Sequence, residues 1–405
     1  MVKKTIHRLL KHRHFWRDVE FDELSEIYIS MMFRSLALSL TSIFVPIYML
    51  KLGYSVQETM LLCVFYFGFR AVVFDLLSGY LVAKMGPKHT ILCSYLLLVV
   101  STGLFLTLPD IHWPLWFVGG IWGGASSLFC IPFHVDFSKI KHKAHGGKEL
   151  GYVKIMEKFG GIVGPIIGGI VASIWGGQYI FLVAIIMLVV GSLPLLKTGE
   201  PVRVNQTLRF RTLPFRKIKW DIISFMGFGV ELTMSGSIWP LYLGTTILAS
   251  GAAYAKLGIL ASVSVVVAMV TAYTIGKLID KHHGRQLLQF GTIANALVYL
   301  YRPFVTSYPA ALATNVVNEG VTVSYNMPYT KGMYDAADDL PGHRIVYFVI
   351  MEMTSSIAKT VVWTILTILT TRFTDYTVLN IGFLIGAGAS LLMMAERFKA
   401  LGRHY

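Results

Sequence analysis

The segment GYLVAKMGPKH at residues 79–89 recurs as GKLIDKHHGRQ at residues 276–286, about 195 residues further along the chain. Three more pairs of segments recur at nearly the same separation. A constant separation over four landmarks indicates an internal duplication, so the chain is predicted to consist of two similar halves. The other pairs are VPIYML (45–50) with WPLYLG (239–244), GASSLFCIPF (124–133) with GVTVSYNMPY (320–329), and IMEK (155–158) with IMEM (350–353).

Long apolar runs occupy both halves. Of the 405 residues, 55% are hydrophobic and 14% are charged, whereas soluble domains carry about 25% charged residues, so a soluble enzyme is excluded. A helix that crosses a bilayer core of about 30 Å needs about 20 apolar residues. The sequence therefore predicts an all-α membrane protein with twelve transmembrane helices in two six-helix bundles. The predicted spans are 27–50, 56–83, 89–108, 114–138, 150–174, 179–196, 221–246, 253–279, 286–301, 308–331, 345–371 and 376–395.

The basic residues predict the orientation of these spans. The formal net charge is +14, from 36 Lys and Arg against 22 Asp and Glu, and about three quarters of the basic residues fall in segments on one side. Basic segments stay in the cytoplasm, so both termini are predicted to be cytoplasmic, in a protein of the cytoplasmic (inner) membrane. The N-terminal segment forms either an interfacial helix on anionic lipid headgroups or a solvated basic tail. The predicted parts are the N-terminal segment 1–26, bundle 27–196, cytoplasmic linker 197–220, bundle 221–396 and tail 397–405.

With six spans in each half, both halves have the same orientation, and on this frame the chain resembles the major facilitator superfamily. The loop signature of that family is G-x-L-x-D-[RK]-x-G-[RK]-[RK]. The resemblance implies that its acidic residue latches the cytoplasmic gate, so the latch is expected to rest mainly on Asp280, because Ala83 occupies the acidic position of the first copy. The second copy, with one inserted residue, keeps Gly276, Leu278, Asp280, Lys281, Gly284 and Arg285, and the first keeps Gly79, Leu81, Lys84, Gly86 and Lys88.

A second motif of the family lies in span 5, where G-x8-G-x3-G-P-x2-G-G is matched at every position. Small residues on one helix face let helices approach closely, and Pro165 is expected to kink the span. In motifs the chain is closest to the proton-coupled drug-antiporter-like group with twelve spans. It departs from that group in span 4, where the group usually carries an arginine and the region around Trp122 has none. The usual proton-coupling arrangement of the group is therefore not predicted with this motif. The matched residues are Gly151, Gly160, Gly164, Pro165, Gly168 and Gly169.

Charged side chains inside the spans are the candidate functional residues, because a charge in hydrocarbon needs a cavity or a partner. At 1.5 Å per residue, Glu231 lies about 15 Å into span 7 and Glu319 about 16 Å into span 10, and Arg70 has a similar depth in span 2. Buried carboxylates can bind and release protons near neutral pH. A neutral structural Glu and a permanent ion pair of Arg70 are the alternative interpretations. The predicted proton or substrate site consists of Glu231, Glu319, Arg70, Asn315, Asn318, Arg34, Trp239 and Tyr325.

Other charged and glycine residues are predicted to form gates or ion pairs. Glu157 and Glu352 are related by the repeat and are expected to pair with Arg34 or Lys158, either in the inner gate or in a structural ion pair. Lys359 either attracts an anionic substrate or extends to the membrane surface, and Asp75 is expected to organise the cytoplasmic loop. The full set is Gly79, Lys84, Gly86, Lys88, Asp280, Lys281, Gly284, Arg285, Asp75, Glu157, Glu352 and Lys359.

The function that these patterns favour is secondary active transport by alternating access, in the form of proton-coupled export of a small organic molecule. Nucleotide-binding loops and hydrolase or zinc motifs do not occur in the sequence, so we expect no enzyme activity, no metal and no cofactor, with a proton gradient as the energy source. The expected partners are a small-molecule substrate and the lipid bilayer, and we expect no nucleic acid partner. The protein is expected to be a monomer. The alternatives are a proton-coupled importer or facilitator of a polar or anionic solute, a lipid flippase of the same fold, and a non-transporting receptor.

Overall fold

The computed structural model describes residues 23–140, 160–161, 163–196, 205–248, 253–280, 284–398 and 401, and these residues form helices and loops without a strand. Helices α1–α12 correspond to the twelve predicted spans. Nine of them are long and apolar enough to cross a membrane; the described part of α5 is shorter, and α9 and α10 are more polar. Their bounds are Glu23–Thr41 with Val45–Lys51 (α1), Val56–Met85 (α2), Pro87–Leu106 (α3), Leu115–Ile140 (α4), Val163–Ile174 (α5), Tyr179–Leu196 (α6), Phe215–Ile247 (α7), Ala253–Asp280 (α8), Gly284–Tyr301 (α9), Tyr308–Asp338 (α10), Arg344–Leu369 (α11) and Asp375–Ala395 (α12).

Two helices extend beyond their predicted apolar runs. Helix α7 begins at Phe215, within the predicted linker, because its first turns are amphipathic: Ile218 is buried while Lys217 and Lys219 are exposed. Helix α10 continues through Pro328 to Asp338. Hydropathy does not detect such turns, since they stand outside the apolar core and carry polar residues.

The duplication is also visible in the contacts of the two halves. The hydroxyl of Tyr48 in α1 donates a hydrogen bond to the carbonyl oxygen of Phe105 at 2.9 Å, at the end of α3. The hydroxyl of Tyr242, its repeat equivalent in α7, donates to the carbonyl oxygen of Val305 at 3.0 Å, just after α9. The same side chain therefore ties the first helix of each half to the end of the third.

Glycines allow α5 to approach two neighbouring helices closely. A Cβ atom on Gly160 would lie 2.6 Å from the backbone nitrogen of Leu36 in α1, and one on Gly258 in α8 would lie 2.5 Å from the carbonyl oxygen of Pro165. Backbone atoms cannot move aside as a side chain can, so only glycine fits at these points. The α5 glycines that face α1 are Gly160, Gly164 and Gly168; Gly169 faces α8; Gly151 lies outside the described residues.

We expect the substitution Gly258→Ala to lower the apparent melting temperature of the purified protein, because it forces apart α5 and α8, which belong to different halves. Overpacking of this kind costs about 1–3 kcal/mol. Gly388→Ala is the matched control, because a Cβ on Gly388 meets no atom within 4 Å and alanine favours the helix. Equal melting temperatures for the two variants would contradict the close contact of α5 and α8.

The two halves also meet at one end of the bundle, which we call the linker end because residues 205–214 lie there; the opposite end is the far end. A Cβ on Gly79 in α2 would clash with the side chain of Val349 in α11. The linker adds a bridge between the halves: the backbone N–H of Gln206 donates to the carbonyl oxygen of Ala83 at 2.8 Å, and Thr212 is hydrogen-bonded to His343 at 2.8 Å. The linker backbone thus bonds to Ala83 itself, near the end of α2, where the first loop motif has alanine in place of the acidic residue.

Candidate functional site

A cavity of about 380 Å³ lies between α7 and α10, with α1 and α8 completing its wall. Asn326 and Thr322 of α10 add further polar groups to it. The described residues contain no group of three His, Cys, Asp or Glu side chains that could hold a metal ion, so the chemistry of this cavity is that of carboxylates, amides and aromatic rings. Six of the eight residues of the predicted site line it, namely Glu231, Glu319, Asn315, Asn318, Trp239 and Tyr325.

The carboxylate of Glu231 is held by neutral hydrogen-bond donors from two helices. One oxygen accepts from Nδ2 of Asn295 at 3.0 Å and from the hydroxyl of Tyr299 at 3.1 Å, both in α9. The other accepts from the hydroxyl of Tyr325 in α10 at 2.7 Å. Glu231 has no exposed surface. The buried guanidinium of Arg302 acts on this carboxylate at longer range, but among the described residues no cation is in ion-pair contact with it. A proton can therefore bind the carboxylate and neutralise it in place.

The same contacts can accommodate a proton without a change of geometry. The hydroxyl of Tyr299 lies 2.9 Å from the backbone carbonyl oxygen of Glu231 as well as 3.1 Å from its carboxylate. Because a tyrosine hydroxyl can both donate and accept, Tyr299 can donate to the carbonyl and accept from a protonated Glu231. The site therefore offers partners to both protonation states of this side chain.

Asn315 and Asn318 present amides to the cavity, and each amide is held from behind. Nε1 of Trp239 donates to Oδ1 of Asn315 at 2.6 Å. Nη2 of Arg302 donates to Oδ1 of Asn318 at 3.0 Å and to the hydroxyl of Ser235 at 3.2 Å. The two amides are thus fixed by groups from α7 and from the end of α9.

Arg302 is a residue that the sequence analysis missed, since its position suggested a basic residue of a loop. The structure places it with no exposed surface, and its guanidinium lies 4.3 Å from the ring centre of Tyr299 and 5.0 Å from that of Trp239. The predicted span 9 ends at residue 301, one position before Arg302. The signal was available: Asn295, Tyr299 and Arg302 recur at helical spacing on one face of the helix.

Arg34 and Arg70 do not line the cavity, although both were predicted to belong to the same site. Arg34 is buried elsewhere in the N-terminal half: its guanidinium lies 3.7 Å from the ring centre of Phe129, and its Nη1 donates to the hydroxyl of Ser94 at 3.4 Å. Depth along a helix axis is the same for residues on opposite faces, so depth alone does not place them around one cavity. Glu157 and Lys158, the predicted partners in span 5, lie outside the described residues.

A second group of buried charges joins the two halves, and we call Arg70, Asp75, His134 and Glu352 the inter-half charge cluster. Nη2 of Arg70 in α2 lies 2.8 Å from Oε2 of Glu352 in α11, and Nε of Arg70 lies 3.6 Å from Oδ1 of Asp75. Nε2 of His134 in α4 lies 3.4 Å from Oε1 of Glu352. Glu352 was expected to pair with Arg34 or Lys158, and among the described contacts this prediction is wrong. Its carboxylate instead contacts Arg70 in α2 and His134 in α4.

Asp75 takes part in the same contact between halves rather than in the loop that it was expected to organise. It accepts hydrogen bonds from the hydroxyl of Ser127 in α4 at 2.5 Å and from the hydroxyl of Ser356 in α11 at 2.7 Å. The side chain has no exposed surface. Asp75 therefore connects the N-terminal half with α11 of the C-terminal half.

Lys359 does not extend to the membrane surface. Its side chain is 8% exposed and its ammonium lies 5.0 Å from the ring centre of Phe67 in α2. A Cβ on Gly229 in α7 would lie 2.6 Å from Cε of Lys359, so the lysine is enclosed between α2 and α7. It stands close to the inter-half charge cluster and not on the cavity wall.

The structure describes the whole first loop motif, residues 79–89, and only part of the second. Gly86 adopts a φ of 90°, which favours glycine, at the turn between α2 and α3. Nε of Arg285 lies 3.2 Å from Oε1 of Glu396 at the end of α12. Lys84 is exposed, Lys88 is buried, and Gly284 opens α9. The side chain of Asp280 and the residue Lys281 lie outside the description, so the latch expected at Asp280 stays a prediction.

Comparison with known proteins agrees with this architecture. The profile of the Major Facilitator Superfamily matches residues 27–229, just over half of the chain. The chain is 24% identical to the multi-drug resistance efflux pump PmrA of Streptococcus pneumoniae over 65% of its length and 68% of the pump. It is 28% identical to multidrug resistance protein 1 of Bacillus subtilis over 38% of its own length and 39% of that protein.

The fold resembles a solved transporter from the same superfamily. The Escherichia coli fucose:proton symporter FucP superposes with a TM-score of 0.65, at 14% identity, over 92% of this chain and 97% of the other. At that identity the likeness concerns the fold alone. Together with the family profile, the apolar helices and the duplicated halves, it shows that this chain is an integral membrane transporter of the major facilitator superfamily.

Proposed function

We propose that the protein exports small organic molecules from the cytoplasm in exchange for protons. The observation that carries the proposal is Glu231, a wholly buried carboxylate on the wall of the cavity whose described hydrogen bonds all come from neutral groups. A proton and a cationic or hydrogen-bonding substrate would compete for this negative charge. Such competition couples the two fluxes in opposite directions.

Two further observations support export in particular. The curated relatives of this chain are named multidrug efflux pumps. The glycine motif of span 5, which in this family is typical of proton-driven exporters, places α5 directly against α1 and against α8 of the other half. We propose that these close glycine contacts let the two halves rotate against each other about α5 and α8. This rotation would open the cavity alternately to the two sides of the membrane.

The orientation belongs to the same proposal. The basic residues concentrate in the termini, the linker and the loops of the linker end, and basic loops are retained in the cytoplasm. The linker end, with the inter-half charge cluster near it, would then be the cytoplasmic gate. The far end would open to the outside of the cytoplasmic membrane.

A pH indicator inside proteoliposomes tests the direction of coupling. When ethidium, an aromatic monocation, is added outside vesicles that contain the protein, we expect the lumen to become alkaline, because each cation that enters by exchange expels protons. Protein-free vesicles supply the control for passive permeation. Glucose, which carries no charge, is expected to move no protons.

The other outcomes decide against the proposal in distinct ways. Acidification of the lumen on addition of a solute would indicate symport and favour the importer. Solute uptake without any change of lumenal pH would indicate a facilitator. Movement of fluorescent phospholipids between leaflets, with no effect of either solute, would favour a lipid flippase.

A further inference from the structure

Two of the three asparagines on the cavity wall, Asn315 and Asn318, are each backed by a group that can only donate hydrogen bonds. Oδ1 of Asn315 faces the indole N–H of Trp239 at 2.6 Å, and Oδ1 of Asn318 faces the guanidinium of Arg302 at 3.0 Å. Indole nitrogen and guanidinium have no acceptor. The amide oxygens must therefore point at these groups, and a flipped amide would set donor against donor.

Fixing the oxygens also fixes the amide nitrogens. Nδ2 of Asn315 donates one hydrogen to the hydroxyl of Ser264 at 3.1 Å, and Nδ2 of Asn318 lies 3.5 Å from the hydroxyl of Thr322, at the limit of a hydrogen bond. An amide nitrogen carries two hydrogens. Both residues line the cavity, so each amide retains donor capacity there, while its oxygen is turned toward a donor of the protein.

Building on the proposed exporter, we infer that the substrates carry a hydrogen-bond-accepting oxygen, such as a carbonyl or ether oxygen, next to a cationic or donor group. The amides of Asn315 and Asn318 would donate to the oxygen, and the carboxylates of the same cavity would receive the cationic end. Trp239 and Arg302 act as positioning residues, since they hold the amides with their N–H groups available. The site thus combines two functions: the carboxylates select charge, and the amides select an acceptor.

The strength of this selection follows from the unpaired donors. A ligand that lacks the oxygen leaves buried N–H groups without a partner, and sites built to form a hydrogen bond reject analogues that cannot form it. For one or two such bonds we expect a preference of about tenfold in affinity.

Two matched probes test the inference by calorimetric titration of the full-length protein in nanodiscs. They are the para-acetylphenyl and para-ethylphenyl trimethylammonium cations, which have equal charge and nearly equal size and differ by one carbonyl oxygen. We expect the wild-type protein to bind the acetyl probe about tenfold more tightly. Trp239→Phe retains an aromatic side chain but removes the indole N–H that holds the amide of Asn315, and it should reduce this ratio.

The decisive variant is Asn318→Asp, which still accepts from Arg302 but replaces the donor by an acceptor. We expect the preference for the acetyl probe to disappear or reverse. Asn326→Asp is the control, because it adds the same charge to the same helix and cavity, whereas the recorded partner of its oxygen is the hydroxyl of Thr330 at 3.4 Å and not an obligate donor. It should shift both affinities by the same factor.

Three results would overturn the inference. Equal wild-type affinities for the two probes would remove the acceptor selectivity, and the same would follow if Asn318→Asp and Asn326→Asp had equal effects on the ratio. In both cases proton-coupled export would stand if ethidium still moved protons in proteoliposomes. If the wild-type protein bound neither probe and moved no protons with ethidium, the proposed function would fail together with the inference.

Discussion

Glu231→Gln is expected to abolish substrate-driven proton movement in proteoliposomes, down to the level of protein-free vesicles. Glutamine has the shape of glutamate and can accept from Asn295 and Tyr299 through its oxygen, while its amide nitrogen can donate to the hydroxyl oxygen of Tyr325. The buried hydrogen bonds are therefore retained in number. What is lost is the capacity to bind and release a proton.

Substrate exchange separates this loss from a failure to fold. If Glu231 carries the coupling proton, Glu231→Gln vesicles loaded with unlabelled ethidium should still exchange it for labelled ethidium, since exchange needs no net proton movement. The exchange should need a higher ethidium concentration, because the variant has lost one negative charge that attracts the cation. Glu319→Gln is the matched control, the same substitution on the wall of the same cavity. Normal proton movement by Glu231→Gln together with its loss in Glu319→Gln would transfer the coupling role to Glu319.

The sequence predicted the depth of Glu231 but not its partners. Counting residues along spans 7 and 10 placed Glu231 and Glu319 at similar depths. Asn295 and Tyr299 hold the carboxylate of Glu231 from α9, a helix that contributes no residue to the predicted proton or substrate site. Rotation of a helix about its own axis decides which face meets a neighbour, and an apolar run with scattered polar residues does not determine that rotation.

Hydropathy located most of the fold because nine of the spans are apolar runs about as long as the bilayer is thick. The twelve spans, the two halves and their close glycine contacts follow from such runs and from the repeat. Helix ends depend on amphipathic turns, and hydropathy therefore placed the start of α7 and the end of α10 inside predicted loops. Arg302 was assigned to a loop for the same reason, since charge and a following proline are typical of loops.

Pairing between the halves was the least predictable feature. Arg70 and Glu352 are 282 positions apart, and the sequence places other charged residues inside the spans that could pair with either of them. The repeat relates Glu352 to Glu157 and gives no information on contacts across the two halves. Only the packing of α2 against α11 decides that the guanidinium of Arg70 meets this carboxylate.

Glu352→Met is expected to destabilise the protein strongly, because it leaves the guanidinium of Arg70 buried without its closest carboxylate. Both side chains are nearly inaccessible, with 4% and 8% of their surfaces exposed. Removing one member of a buried ion pair costs about 3–5 kcal/mol, whereas replacing both by apolar residues of similar volume is often neutral. The double variant Arg70→Met, Glu352→Met should therefore recover part of the apparent melting temperature that Glu352→Met loses. The recovery is incomplete because Asp75 then loses its contact with Arg70 and keeps only its hydrogen bonds from Ser127 and Ser356.

The ion pair of Arg344 with Asp338 provides the control for this double-variant comparison. It lies near the linker end at 2.5 Å, but its members are 25% and 30% exposed, so Arg344→Met should cost no more than about 1 kcal/mol. A loss in the double variant equal to the sum of the two single losses would show that Arg70 and Glu352 do not stabilise each other. Because the pair joins α2 to α11, a confirmed coupling would also mean that opening the linker end must separate these two charges.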